Sequence, residues 1–476
     1  MPFPTHLILR AAACLSALFL VAGCSSSDSR AQAALTAYQA AAAANDLAGA
    51  RKALLQLVQA KDDVADYWVE LGKLQASTGD VNDAYYAFTR AYELDRGNAG
   101  ILRAITELAL RSGDITRAQS HAQELEIVSP GDPWVKLTTG WSAYSQAHFD
   151  ESLAAADSML ASAPFDSAAT ALKARSLISL KRDDEAEDLL VKQIQAQPSD
   201  AGSLMLLAKI YVQRNDWAKA EAIAKRLFQL VPGDRESAML LIEAAFRTGD
   251  AALGRQTSLR LLRPDAPSEL ITPVLDLWQD LWPSAQRVQD ARSLASAARG
   301  LEQRLIFAAF LSRVGSPQDA ARLAQGSAGL PVNAANAEAN AVLADALSRM
   351  GNIAAAKSRF DAVIGFDPGN ATALRGRSEL ELRIGKAAAA IVDAQKLVTV
   401  LPNSPADRLL LARAYSAAGN AAWANRTLWA AFKDIPADEK IFAALQATRK
   451  GNEQATRELQ DEFDRQRSAK LNRGLL

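Results

Sequence analysis

The sequence predicts an all-α fold, a solenoid of antiparallel helix pairs, and three observations lead to this prediction. A pattern of small and turn-forming residues recurs every 34 positions over most of the 476 residues. Hydrophobic residues make up 49% of the chain and aromatic residues only 6%, a composition that favours helices over strands. Gly and Pro stand where helices of the pattern would end. Two Cys cannot form a disulfide framework, and a net charge of −1 gives no basic surface for nucleic acid.

Residues 1–23 have the pattern of a targeting segment. Arg10 precedes an apolar run that is shorter than the roughly 20 residues needed to span a bilayer, as in a secretory signal peptide. The sequence Val-Ala-Gly-Cys that ends at Cys24 resembles a bacterial lipobox. The resemblance implies cleavage before Cys24 and lipid on its thiol and amine, with residues 24–30 as a Ser-rich linker. Ser25 resembles the class sorted to the outer membrane, so the expected product is an outer-membrane lipoprotein facing the periplasm. The alternative is an ordinary cysteine at this position.

The repeat is clearest in residues 65–98. Trp68, Leu71 and Gly72 are followed by Ala84 and Phe88, which gives the spacing W-x₂-L-G and then A-x₃-F. This spacing resembles the tetratricopeptide repeat (TPR), a hairpin of two helices, A and B. The resemblance implies a right-handed superhelix of stacked hairpins, because a single hairpin cannot bury its apolar face.

About seven windows of 34 residues fill the N-terminal array, residues 31–268, without a gap. Most windows have Gly or Asn before Asp at the fifteenth place, which predicts a left-handed residue that ends helix A. A small residue at the twentieth place predicts a close approach of helix B to helix A. These residues are Ala50, Ala84, Ala118, Ser152, Ala186, Ala220 and Gly254. Pro at the thirty-second place predicts the end of helix B, at Pro130, Pro164, Pro198 and Pro232.

The register is lost in residues 269–300. This stretch lacks the repeat pattern, and three prolines, Pro264, Pro273 and Pro283, lie in or beside it. We interpret it as a degenerate helical hairpin that separates two arms and acts as a hinge.

The pattern returns in a C-terminal array of about four repeats, residues 301–438. The remaining residues, 439–476, predict capping helices, because a highly charged helix from Glu453 has only a narrow apolar stripe at Ala455, Leu459 and Phe463. Terminal repeats need such a polar outer face.

The sequence does not predict an enzyme, a metal site or a cofactor. His121 and His148 are the histidines after the signal segment, and neither belongs to a metal-binding or catalytic motif. Both are expected to be plain surface residues. A phosphate-binding Gly-rich loop is also missing from the sequence.

Binding residues are expected on the inner face of helix A. In TPR proteins the second, fifth, sixth, ninth, twelfth and thirteenth places of helix A line the groove. In the window 133–166 these places include Trp134, Leu137, Trp141 and Tyr144, which form a largely aromatic face. Trp and Tyr are common anchors in interfaces, although these side chains equally suit the core between repeats. Arginines recur at the thirteenth place, Arg111, Arg247, Arg313, Arg349 and Arg383. Acids at the ninth place, four residues earlier, are expected to neutralise part of this ladder, so a solvated face is the simpler interpretation.

The combined resemblance is to the TPR lipoproteins of bacterial envelope systems for exopolysaccharide export, pilus or secretin assembly and surface-protein sorting. It implies a non-enzymatic scaffold that binds envelope proteins or peptides in its groove and the membrane through Cys24. The alternative is a periplasmic module that holds an anionic polysaccharide or an unfolded client during export. Nucleic acid is not expected as a partner.

Overall fold

The computed structural model describes residues 26–472, and this part of the chain contains twenty-six α-helices and no strand. The first eleven are α1 Ser26–Ala43, α2 Leu47–Ala60, α3 Ala65–Thr78, α4 Val81–Leu94, α5 Ala99–Arg111, α6 Ile115–Val128, α7 Pro133–Ser145, α8 Phe149–Ser162, α9 Ser167–Ser179, α10 Asp183–Ala196 and α11 Ala201–Gln213. The others are α12 Trp217–Leu230, α13 Arg235–Thr248, α14 Ala251–Leu261, α15 Ser268–Leu281, α16 Ala285–Ala297, α17 Leu301–Arg313, α18 Pro317–Gln325, α19 Ala337–Arg349, α20 Ile353–Phe366, α21 Ala371–Arg383, α22 Ala387–Val400, α23 Pro405–Ala417, α24 Ala421–Asp434, α25 Glu439–Ala447 and α26 Glu453–Asn472. The all-α prediction is confirmed, and odd-numbered helices are helix A of each pair. None of the described helices combines the length and apolar content needed to cross a bilayer.

Residues with a left-handed backbone separate helix A from helix B, as the sequence predicts. Asn45, Gly79 and Gly113 have φ angles of 55°, 86° and 76°. Ala147 and Lys181 stand at the same place of their windows and have φ angles of 62° and 63°, although they are neither Gly nor Asn. Sequence reasoning missed these two turns because it identified turns by residue type.

The twentieth place of the repeat is buried, which confirms the predicted close approach of the paired helices. All seven small residues at this place, from Ala50 to Gly254, are buried. At Gly254 an added Cβ would lie 2.7 Å from Cε1 of Phe246 on the facing helix. Gly140, on helix A of another pair, is equally close to its neighbour, because a Cβ there would lie 2.5 Å from Cδ2 of Leu172. Such distances leave no room for a larger side chain.

The described chain divides into two compact units, one ending at Leu207 and the other running from Ala208 to Leu471. The division falls within α11, and residues 269–300 lie inside the second unit. There α15 and α16 form a helix pair whose residues belong to a buried cluster that extends from Ile242 to Ala346. The window that starts at residue 337 begins two repeat periods after residue 269, so a short repeat and a long repeat compensate each other. Flexibility at 269–300 stays a prediction.

Trp278 of α15 organises this irregular pair. Its side chain is fully buried, and its indole Nε1 donates a hydrogen bond to Oγ of Ser258 at 2.9 Å. The ring of Trp282 packs edge-on against it, with 5.2 Å between the ring centroids. Arg287 of α16 donates to the backbone oxygens of Trp278 and Trp282 at 3.0 and 3.2 Å, which satisfies carbonyl groups that the end of α15 leaves open. The lost sequence pattern therefore reflects different packing, while the hairpin itself persists.

The last helix pair caps the second unit. Leu459 and Phe463 of α26 are 1% and 4% exposed, and they pack on Phe432 of α24 and on Ile441 and Leu445 of α25. The rest of α26 is largely polar, as the narrow apolar stripe predicts.

Candidate functional site

A groove in the second unit is formed by helix A of three successive pairs, α17, α19 and α21, with Thr272 of α15 beside it. It encloses about 340 Å³. Its lining side chains from the three helices occupy the second, fifth, sixth, ninth and thirteenth places of their windows. These are inner places that the TPR resemblance implies, so the repeat register explains which residues meet here.

The floor of the groove is apolar. Leu305 and Val342 are buried, and Ile306 and Ala309 are half-buried at the surface of the floor. Gly376 of α21 completes it, and an added Cβ there would lie 2.5 Å from Cζ of Phe360. A glycine is therefore needed for α21 to approach this ring. The floor offers an apolar partner side chain a surface that is already shielded from water.

The walls of the groove carry ion pairs that link neighbouring repeats. Arg349 contacts Asp345 on its own helix at 3.0 Å and Glu379 on α21 at 2.8 Å. Arg375 makes a two-pronged contact with Asp407 of α23, with N–O distances of 2.6 and 2.8 Å. The side chain of Asp407 is fully buried, so this pair is much less screened than a surface pair. These arginines are held in place by acids of the protein itself.

Arg313 differs from these wall arginines. Its ion pair within the described residues is with Asp276 of α15, and 3.8 Å separate Nη1 from Oδ1, which is longer than a hydrogen bond. Its side chain is 35% exposed, open to water on one side. Burial lowers the pKa of the Arg313 guanidinium, and burial raises the pKa of the Asp276 carboxyl. Both shifts have the same cause, because each charge loses more hydration than its distant partner replaces. Arg313 therefore retains hydrogen-bonding capacity for an added anion.

Sequence reasoning missed the Arg375–Asp407 pair, the Arg313–Asp276 contact and the apolar floor. A pairing signal exists in the sequence, since Arg375 stands at the fifth place of its window and Asp407 lies 32 residues later, at the third place of the next. Opposite charges at this separation face each other when neighbouring repeats stack. A search for such pairs would have found this contact.

The other predicted ladder arginines differ in how closely they are paired. In the first unit Arg111 lies 3.9 Å from the glutamate four residues earlier, a separation like that of Arg313 from Asp276, whereas in the second unit Arg247 contacts the equivalent glutamate at 3.0 Å. Arg383 donates to the backbone oxygen of Ser348 at 3.2 Å. Partial neutralisation by ninth-place acids is thus confirmed at Arg247 and Arg349. Ligand binding by the ladder stays a prediction.

The predicted aromatic face of α7, in the first unit, is largely part of the core. Leu137 and Trp141 are 2% and 5% exposed and belong to a buried cluster. Trp134 and Tyr144 are half-buried and pack against that cluster. The Tyr144 ring meets Trp141 edge-on, with 5.6 Å between centroids. Of the two interpretations open from sequence, core packing describes Leu137 and Trp141, and only Trp134 and Tyr144 keep accessible surface.

The two histidines occupy different environments. His148 is exposed at the start of α8, as expected. His121 was expected to be a plain surface residue, and this prediction is wrong. It is half-buried, and its Nε2 lies 2.9 Å from the hydroxyl oxygen of Tyr85. Burial lowers the pKa of its imidazole.

The lipidation prediction falls outside the described residues, since these begin at Ser26 and Cys24 precedes them. Within the described part of the chain, no group of three or more His, Cys, Asp or Glu side chains is placed to hold a metal ion.

Family models support the assignment of the repeats. One model described as a tetratricopeptide repeat matches residues 35–99, 137–201 and 342–408, and a second with the same description matches residues 177–244. Together the matched residues make up half of the chain. This chain is a tetratricopeptide-repeat protein. The TPR matches fall in both predicted arrays, and residues 269–300 lie outside them.

Several solved structures are similar to parts of this TPR protein. A tetratricopeptide-repeat protein from Parabacteroides merdae is 16% identical, with 53% of this chain and 100% of that chain covered and a TM-score of 0.40. PilW, described as a widely conserved type IV pilus biogenesis factor, is 18% identical over 41% of this chain and 91% of its own, with a TM-score of 0.33. Pseudomonas aeruginosa PilF is 14% identical over 49% and 98%, with a TM-score of 0.32. A search of curated proteins gives no match.

Proposed function

We propose that this protein is a non-enzymatic TPR scaffold of the bacterial cell envelope, anchored through lipid on Cys24, that docks a partner protein in the groove of its second unit. The proposed context is export or assembly of exopolysaccharide, pilus or surface proteins. The partner contributes an extended segment that carries an apolar side chain and a carboxylate. The observation that carries the docking proposal is the groove itself, in which the apolar floor of α17 lies beside the incompletely paired Arg313.

The chemistry of the groove favours a protein segment over an anionic polysaccharide. A polyanion needs several free positive charges in a row, whereas Arg349 and Arg375 are already paired with acids of the wall. Glu302 and Glu338 add negative charge to the same lining. A segment that buries an apolar side chain on Leu305 and Ile306 and places one carboxylate at Arg313 matches both features.

The anchor rests on the sequence of the first twenty-four residues. A lipobox after an apolar run is the pattern that lipoprotein processing recognises, and two or more acyl chains are needed for stable anchoring. Fatty-acid labelling in cells tests this directly. The wild type should incorporate label and sediment with membranes, and Cys24→Ser should do neither. Cys14→Ser is the matched control, because Cys14 lies in the segment expected to be removed. Equal labelling of wild type and Cys24→Ser would refute the anchor.

Site-specific photocrosslinking tests docking in the groove. A photoreactive residue at Ala309 reports on the groove floor, and one at Arg322 of α18, whose side chain is 78% exposed, is the control on the same helix pair. Capture should occur from Ala309 and fall about tenfold with Arg313→Ala, as expected for loss of a charge-assisted hydrogen bond. Arg313→Lys should retain part of it.

The captured segment then shows which chemical groups of the partner bind in the groove. Synthesised with its acidic side chains as carboxylates, it should bind the purified protein, and the amide form should bind at least about tenfold more weakly. Equal capture from both crosslinker positions, or binding that does not depend on Arg313, would overturn the docking site. Binding of a charged glycan that depends on Arg313 would favour the polysaccharide alternative.

A further inference from the structure

The last helix pair of the second unit contacts the helices at the start of the same unit. Arg247 of α13 contacts Glu439 of α25 at 3.1 Å, and Lys440 of α25 contacts Asp280 of α15 at 2.6 Å. In addition, Arg467 of α26 donates to the backbone oxygen of Val212 at 2.8 Å and to the side chain of Asn215 at 3.1 Å. These contacts join residues that are 160 to 255 positions apart in the sequence.

All four of these contacts are polar. The buried apolar cluster that holds α25 and α26 consists of residues from α23 to α26 and the turn before α25. Among the described residues, the clusters around α13, α14 and α15 contain none from α25 or α26. The last pair is therefore attached to its preceding neighbour by apolar packing, and it contacts the start of the unit through ion pairs and hydrogen bonds of exposed and half-buried side chains. Exposed ion pairs are individually weak and are screened by salt.

The contact with α15 adjoins the docking groove. Thr272 lies beside the groove, Asp276 faces Arg313, and Asp280 pairs with Lys440. These three α15 residues follow each other at intervals of four and so lie on one face of the helix. Lys440 is also among the charges that act on the Asp276 carboxyl. The groove and the contact between α25 and α15 therefore share one stretch of the surface of α15 and one group of charges.

We propose that α25 and α26 form a polar latch, defined by Glu439, Lys440 and Arg467, that closes the second unit on itself and controls binding of a partner segment in the groove through the charges of α15. Opening breaks the polar contacts of Glu439, Lys440 and Arg467, while the apolar attachment to α23 and α24 acts as the hinge. A carboxylate that pairs with Arg313 displaces Asp276, which then interacts more strongly with Lys440 of the latch, so docking and latch closure favour each other. The gating role rests on the proposed function of the groove, whereas the existence of the latch does not.

Zero-length carbodiimide crosslinking of the full-length protein, purified in detergent, tests the latch without any partner. The reagent joins carboxylates to amines in direct contact, so mass spectrometry should find an amide between Lys440 and Asp280. The Lys173–Asp157 pair, at 2.6 Å in the first unit and with a 51% exposed carboxylate, is the internal reference. The ratio of the two products measures the closed fraction and cancels direct effects of conditions on the reagent.

Weakening the latch at residues other than the crosslinked pair should lower this ratio. We expect a decrease of about two- to threefold in the Glu439→Gln, Arg467→Gln double variant, and a similar decrease when salt is raised from about 20 mM to about 0.5 M. Glu453→Gln is the matched control, since its carboxylate is 92% exposed at the start of α26 and contacts only its own helix within the described residues. A wild type without the Lys440–Asp280 product, or a ratio that the double variant leaves unchanged, would overturn the latch.

Capture from the Ala309 photocrosslinker tests the gating role separately. The latch variant should capture less partner than the wild type, because Asp276 then competes more strongly for Arg313, and Glu453→Gln should capture the same amount as the wild type. A lowered crosslink ratio with unchanged capture would refute gating while the latch stands. If Ala309 captures nothing in any variant but the crosslink ratio responds as expected, the proposed docking function fails and the latch does not. Circular dichroism confirms that the variants keep their helical content.

Discussion

At Gly254 the small-residue rule of the repeat and the packing of this chain predict opposite results for one substitution. Most windows of the N-terminal array have Ala at this twentieth place, so Gly254→Ala moves the sequence toward the repeat pattern. Ala is also favoured over Gly in a helix by about 1 kcal/mol. Pattern and propensity alone therefore predict that Gly254→Ala makes the protein more stable.

The structure predicts a loss instead. The new Cβ would lie 2.7 Å from Cε1 and 2.8 Å from Cδ1 of Phe246, whereas carbon atoms in contact are about 3.5 to 4.0 Å apart. The ring cannot retreat freely, because it stacks on Trp282 with 5.5 Å between centroids and 16° between planes. If α14 shifts instead, it disturbs the hydrogen bond from Trp278 to Ser258. Overpacking of this kind costs about 1 to 3 kcal/mol, so after the propensity gain the expected net loss is about 1 kcal/mol.

Urea unfolding followed by far-UV circular dichroism measures the change, and hydrogen exchange read by mass spectrometry over residues 246–258 localises it. Local exchange is needed because repeat arrays do not always unfold in one step. Phe246→Leu supplies the control, since a smaller side chain makes room for the methyl group. The double variant should show a favourable coupling of about 1 kcal/mol or more between the two sites. If Gly254→Ala stabilises the protein by about 1 kcal/mol and shows no coupling to Phe246→Leu, the packing argument is refuted.

Three further predictions follow from the described structure. Ala147→Gly should stabilise the first unit by up to about 1 kcal/mol, because φ there is 62° and glycine adopts this angle without strain. Gly113→Ala should destabilise it by about 1 to 2 kcal/mol through backbone strain alone, since φ is 76° and the new Cβ would contact nothing within 4 Å. Chemical denaturation that gives equal effects for both substitutions would contradict this. Burial lowers the pKa of His121, so the unfolded chain takes up the proton more readily below pH 6.5. The free energy of unfolding should therefore decrease between about pH 7.5 and about pH 5 by more in the wild type than in His121→Gln, which keeps a polar group toward Tyr85. Parallel pH profiles of the two proteins would disprove this. Ser258→Ala should cost about 1 to 3 kcal/mol in thermal unfolding, because it leaves the buried indole N–H of α15 without its acceptor, and a neutral result would show that another group accepts it.

Much of the fold is predictable because each repeat uses local signals. The glycine and asparagine turns, the buried twentieth place and the polar last helix follow from residue types whose backbone preferences or size allow few alternatives. Ala147 and Lys181 escaped prediction for the same reason, since neither residue prefers a left-handed backbone and only the packing of the two helices imposes it.

The candidate site was less predictable. The repeat register identified the inner places of helix A, and the groove is lined from those places. It did not distinguish Arg313 from Arg349, although both occupy the thirteenth place, because the difference depends on which acid the neighbouring helix brings near. Nor did it decide between core and groove for Trp141, which the structure buries.

The sequence by itself determined that this chain is a series of helix pairs with a fixed register, because a period of 34 residues repeats the same turn, contact and stop signals. Tertiary structure decided which charges remain incompletely paired and which helices meet. Arg247 and Glu439 are 192 residues apart, and no local pattern specifies that they face each other. That contact results from the small rotations between successive pairs, which add up along the second unit and are set by side-chain packing at each step.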